Sequence, residues 1–301
     1  MSQIADQLRR DFKASDDIRD AGLTTPEDVV RYDDIRYGDE SPLQALDLYR
    51  PRAAEGKTLP VIVSVHGGGW VYGDKALYRY YTMSLAQRGF AVVNFSYRLA
   101  PETQFPAQMA DIKAVFDWTR AHAEEYGLET DNLFAVGDSA GAHLLGLYCD
   151  ACTNPEYAAL YGFDTPFGPA PSAVGLACGV YTVGGDVGGN REQDLKLMED
   201  LLPGGPTPEN LRLVDVRRWI TPAFPETFFF TCTGDFLQEQ ADALQRTLRE
   251  RQVPHVMRFY GDAGHMLGHD FHCDMRLEAG RRCNDEQCAF FRSVMAKKAG
   301  V

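Results

Sequence analysis

Residues 133–141 read Leu-Phe-Ala-Val-Gly-Asp-Ser-Ala-Gly, and an alanine- and leucine-rich stretch continues from Ala140 to Cys152. An apolar run, a glycine-flanked serine and a helix-like stretch therefore follow one another with no linker. A chain with this order must turn sharply from a buried strand into a helix, with the serine at the corner. Similar apolar runs occur at Val61–Val65, Phe90–Phe95, Thr227–Cys232 and Val256–Tyr260. They are β-branched and aromatic and mostly do not alternate with polar residues, the pattern of strands covered on both faces of a parallel sheet. Leu46–Tyr49 predicts an earlier edge strand. Helical spacing marks Gln108–His122, Leu237–Arg251 and residues 284–297. Strands alternating with helices predict an α/β fold with a mostly parallel sheet.

The 301 residues suit a single large domain. Two segments fit the alternation less well: residues 1–35, helical and polar, and residues 181–222, rich in Gly, Pro and charge around a short helix at Arg191–Leu202. Insertions of this kind usually cover the ligand crevice at the carboxyl ends of the strands, so both are expected to form a small cap. The formal net charge of −13 opposes binding to nucleic acid or to an anionic membrane surface. No apolar run is long enough to span a bilayer, and the polar N-terminus predicts a cytoplasmic protein. Seven cysteines, an odd number, point to free thiols. Cys149 and Cys152 form a C-x-x-C within a helical stretch. With no second pair to complete a zinc site, they are expected to pack rather than bind metal.

Ser139 at the strand–helix corner is the candidate nucleophile. The sharp turn lifts its hydroxyl above the sheet, and the following helix N-terminus favours developing negative charge. His66-Gly67-Gly68-Gly69-Trp70 ends the Val61–Val65 run. Acyl transfer places negative charge on a carbonyl oxygen. A glycine run can turn its N–H groups toward that charge, so Gly68, Gly69 and Ala140 are the candidate oxyanion donors. His66 lies on the wrong element for a base and is expected to brace the loop. A serine of this kind is followed in the chain by its acid and then its histidine. Asp235 follows the Thr227–Cys232 run and is the expected acid, with Asp262 a weaker rival. His265 follows Val256–Tyr260 and is the expected base, with His269 and His272 its rivals. Trp70, Tyr72 and Tyr181 are candidate linings of the substrate pocket, each equally readable as core.

Four blocks carry a resemblance: HGGGW at 66–70, YRLAPE at 97–102, GDSAG at 137–141, and the GD and GH pairs at 234–235 and 264–265. Over about residues 45–295 the chain resembles the hormone-sensitive-lipase-like branch of bacterial esterases. That resemblance implies an α/β-hydrolase fold with a sheet of the eight-stranded type and a small cap. It also implies hydrolysis of short-chain acyl esters, no cofactor, and an Arg98 stretch that braces the oxyanion loop. Some relatives deacetylate sugars, and homodimers through the edge strand or last helix are common. The chain departs from the pattern twice: Phe236-Leu237 follows the acid where proline and leucine are usual, and Met266-Leu267 follows His265 where a small residue and an aromatic are usual. A lactonase or amidase would use the same residues. A binding protein on this fold would be expected to lack the histidine.

Overall fold

Strand β5 (Leu128–Asp138) sits in the middle of an eight-stranded sheet ordered β1-β2-β4-β3-β5-β6-β7-β8. The others are β1 (Val29–Arg36), β2 (Ala45–Pro51), β3 (Leu59–Val65), β4 (Ala91–Phe95), β6 (Ala173–Ala177), β7 (Glu226–Cys232) and β8 (His255–Tyr260). From β4 to β8 every neighbouring pair is parallel, whereas β2 runs antiparallel to both β1 and β4. The computed structural model describes residues 2–163, 167–184 and 191–300.

Period-two burial on both faces explains the unbroken apolar runs. In β3, Val61, Val63 and Val65 join one core cluster while Ile62 joins the cluster on the opposite face. The first face is covered by the helices Ala107–Ala121, Ala140–Thr153 and Gln238–Glu250, the second by Lys75–Gln87 and Glu278–Ala299. The helix after Ser139 is buried at every residue from Ala140 to Ala151. This explains why its sequence lacks a polar stripe.

Two expectations about the flanks are corrected. Leu46–Tyr49 does not form the edge strand, because β1 pairs outside it. Residues 29–36 thus belong to the sheet, not the cap. Their burial along β1 is slight, which is why composition alone read them as peripheral. Leu8 and Phe12 of the N-terminal helix Gln3–Asp20 and Leu197 of the helix Arg191–Leu201 all approach Gly69, in the loop that follows β3. Residues 185–190 of the expected cap lie outside the described residues.

Candidate active site

Ser139 adopts φ 50° and ψ −118°, a strained backbone for a residue with a side chain. The corner is locked from three sides. The Ser139 N–H donates to the Ala177 carbonyl at 2.9 Å, and the Ser139 carbonyl accepts from His143 and Val180. Gly141 is required by crowding, since a Cβ there would lie 2.2 Å from the Val65 carbonyl oxygen. Asp138 beside it is buried and accepts from the Tyr78 hydroxyl, which in turn accepts from the Gly67 N–H at 3.0 Å. The elbow and the glycine loop thus share one hydrogen-bonded link.

In that loop Gly68 and Gly69 hold φ of +112° and +60°. A Cβ on Gly68 would fall 2.1 Å from the Tyr72 carbonyl oxygen, so only glycine fits. No acceptor among the described residues takes the N–H of Gly68, Gly69 or Ala140. His66 stacks on Tyr97 with ring centroids 4.0 Å apart, and its Nδ1 lies 2.8 Å from the Gly67 carbonyl. Burial lowers its pKa to about 4, so it is a neutral brace. Trp70 donates from Nε1 to His143 Nδ1 at 3.1 Å, and His143 Nε2 bonds the Val214 carbonyl at 2.7 Å. The buried His143, lowered to about 4 by burial, therefore ties the glycine loop to the helix behind the elbow and to Val214.

The histidine requires a correction. His265 does not reach Asp235. It is 83% exposed and closes a tight turn on Asp262, with its N–H 2.9 Å and its Nδ1 3.1 Å from Asp262 Oδ1. After this turn the chain comes back beside the end of β7, where Gly234 N–H donates to the Leu267 carbonyl at 2.8 Å and Leu267 N–H to Thr233 Oγ1 at 2.9 Å. That return delivers His269, whose Nδ1 lies 2.7 Å from Asp235 Oδ1. Asp235 is fixed further by Thr231 Oγ1 at 2.6 Å and the Leu237 N–H at 2.9 Å. Burial works to raise its pKa, but these donors and His269 hold it below the usual carboxylate range. The signal for His269 was present in the sequence. It too follows a glycine, Gly268, and Phe271 supplies the aromatic two places on that is missing after His265. His272 points into the core between Tyr81 and Phe230 and is lowered to about 3 by burial.

Ser139, Ala140, Gly68, Gly69 and His269 line one cavity of about 780 Å³. Trp70 and Tyr72 lie on its wall, and the Tyr72 hydroxyl donates to Asp16 Oδ2 at 2.9 Å. Tyr181 does not line it. The residue is 1% exposed and packs in the core with its hydroxyl against Gly179, so its pocket reading is withdrawn. Leu8, Phe12 and Leu197 close the cavity from the two covering helices. His269 Nε2 lies 3.2 Å from Asp270 Oδ2, which sequence reasoning did not single out. Burial opposes charge on His269, yet Asp270 and Asp235 outweigh it and push the pKa up to about 9. The thiols of Cys149 and Cys152 are raised by burial and stay clear of the site.

The BD-FAE family profile matches residues 46–160, which include the glycine loop and the elbow but not the acid or the histidine. Esterase LipC of Mycobacterium tuberculosis is 33% identical over 148 residues, 49% of this chain and 35% of the relative. LipQ of the same organism is 34% identical over 152 residues, with 50% and 35% covered. The chain spans about a third of the length of the curated relatives it matches. Among solved structures, esterase B of Lactobacillus rhamnosis superimposes with a TM-score of 0.87 at 25% identity, covering 98% of this chain and 96% of that one. The chain has an α/β-hydrolase fold and resembles esterases of the hormone-sensitive-lipase-like branch. The chain shares its fold also with an esterase of Pyrobaculum calidifontis, at 22% identity and a TM-score of 0.77 over 97% of this chain and 94% of that one. No helix among its described residues is long and apolar enough to cross a membrane.

Proposed function

We propose that this hydrolase cleaves carboxylic esters of short acyl chains through a covalent acyl-enzyme, with Ser139 as nucleophile, His269 as base and Asp235 as its orienting acid. The reading rests on one observation: His269, paired with Asp235 at 2.7 Å, lines the same cavity as a serine held on a strained strand–helix corner. Ser139 Oγ attacks the ester carbonyl carbon and passes its proton to His269 Nε2. Asp235 holds the other nitrogen, fixing the tautomer and stabilising the imidazolium. The N–H groups of Gly68, Gly69 and Ala140 receive the oxyanion. His269 then protonates the leaving alcohol, and water activated by the same nitrogen releases the acid. In the structure Nε2 faces Asp270, so the ring turns toward Ser139 in the productive complex.

The named relatives LipC, LipQ and esterase B are esterases, which supports this reaction class. Leu8, Phe12 and Leu197 bound the cavity and favour an acyl group of acetyl to butyryl size. Asp16, Arg19 and Asp194 give its wall polar groups suited to a hydroxylated alcohol such as a sugar. Hydrolysis of p-nitrophenyl esters from acetate to decanoate by wild type and Ser139→Ala tests the proposal. Activity is expected to peak at acetate to butyrate and to fall at least ~10³-fold in the variant. Absence of wild-type turnover on every ester would overturn it.

A further inference from the structure

Among the described residues, one thiol, one imidazole and one carboxylate converge beside the elbow: a ligand atom each of Cys178, His269 and Asp270, all within 4.8 Å of one another. We propose that these three residues form a binding site for a thiophilic divalent cation of the zinc type, and that its occupation switches the esterase off. Sulfur, nitrogen and oxygen together are a donor set that zinc accepts in tetrahedral geometry.

The geometry is close to what the ion needs. Around a tetrahedral zinc with bonds of about 2.0–2.1 Å, nitrogen and oxygen ligands stand about 3.3 Å apart. His269 Nε2 and Asp270 Oδ2 already stand 3.2 Å apart. His269 Nδ1 is held by the Asp235 carboxylate, the outer partner that orients a zinc-bound imidazole and makes it more basic. The other oxygen of Asp270, Oδ1, is buried with no hydrogen-bond partner among the described residues, an acceptor whose lost hydration they do not replace. Cys178 follows the last residue of β6 with a positive φ of 42°, and its buried thiol shares a core cluster with Phe271 at the base of the site. His269 and Asp270 both line the cavity that holds Ser139, so the cation has an entry path and a fourth coordination position facing it.

Binding replaces the Cys178 thiol proton, which passes to the buffer. A proton on His269 Nε2 also passes to the buffer, the freed Nε2 lone pair binds the cation, and Nδ1 keeps its proton, which it donates to Asp235. That lone pair is the one Ser139 needs. The loss of activity, though not the binding, therefore rests on His269 acting as the base.

The test is cation binding and turnover measured on the same EDTA-treated protein. Isothermal titration with zinc chloride is expected to give one site per chain, with affinity lowered at least ~10-fold in Cys178→Ser and Cys178→Ala. Cobalt chloride is expected to give a thiolate-to-cobalt absorption band in wild type that both variants lack, with circular dichroism confirming that they fold. Zinc should abolish p-nitrophenyl acetate hydrolysis, EDTA should restore it, and each variant, scaled to its own uninhibited rate, should need at least tenfold more zinc. A cobalt band or a zinc affinity unchanged in the Cys178 variants overturns the site, as does the absence of saturable binding. Binding on a protein that hydrolyses no ester would leave the site standing and remove the esterase reading instead.

Discussion

His269 sits between two carboxylates, and its two nitrogens are thereby assigned different work. Asp235 on Nδ1 is buried and over-determined by two further donors, so it positions the ring. Asp270 on Nε2 faces the cavity and stabilises the imidazolium, the form that cannot accept the serine proton. The carboxyl groups that raise the pKa of the ring are Asp270 beside it, Asp235 from the end of β7 and Asp138 from the elbow. With the folded pKa near 9 and raised, the neutral base is gained only as pH rises, so kcat/KM should climb from neutral toward about pH 9. In Asp270→Asn that rise should move down by about 1–2 pH units, which a pH profile on p-nitrophenyl acetate reads. The same shift stabilises the fold below an unfolded histidine pKa of about 6.5 and is lost as pH passes through the folded value. His269→Ala should lose at least ~10³-fold in kcat, while His265→Ala, on an exposed turn, should stay within about twofold of wild type. Equal losses in both would send the assignment back to His265.

At the scale of elements, the active site depends on how the N-terminal helix is fastened to the loop beneath it. Arg9 donates from Nε to the Val71 carbonyl at 2.8 Å and from Nη2 to the Ala100 carbonyl at 3.0 Å, and it pairs with Glu102 at 2.7 Å. One side chain thus joins the covering helix to the end of the glycine loop and to the segment after β4. The Glu102 end is half exposed and contributes little, whereas the two carbonyls lose their partner if Arg9 is removed. Arg9→Ala should cost about 1–2 kcal/mol of stability. It should also loosen the helix, raising KM for butyrate more than it lowers kcat and narrowing the gap between short and long esters. The p-nitrophenyl series with a urea denaturation curve measures both. An unchanged chain-length profile would show that Leu8 and Phe12 do not limit the acyl site.

Across the whole molecule the folded state carries buried acids that its sequence charge does not reveal. Asp150, on the helix behind Ser139, is buried with neither carboxylate oxygen hydrogen-bonded among the described residues, and burial raises its pKa well above 3.8. A carboxyl group with a raised folded pKa binds its proton more tightly in the native state. Its contribution to stability is therefore greatest below the unfolded value of about 3.9 and falls as pH rises above it. Asp150→Asn should raise Tm at pH 8 by an amount corresponding to roughly 1–3 kcal/mol, with the difference vanishing near pH 4. A pH-independent difference would mean that packing, not proton uptake, sets the cost of this residue.

The alternation of strands and helices was legible because each element is built by local chemistry. Val61–Val65 and Thr227–Cys232 can be buried only as central strands, and Gly137 to Gly141 can join strand to helix only by a sharp corner. Ser139, the proposed nucleophile, and the glycine loop came with those elements, and Asp235 came with the end of β7. His269, the proposed base, did not. Gly264-His265 and Gly268-His269 are alike over a few residues, and both lie after β8. What separates them is a turn closed by Asp262 that points the first histidine to solvent, and a backbone contact between Gly234 and Leu267 that carries the second over the acid. Tyr181 and β1 were misread for the same reason, since core or cavity, sheet or cap, is fixed by which surface lies opposite. Sequence determined what is decided by neighbours along the chain; residues far apart in it, meeting only in the folded state, decided the rest.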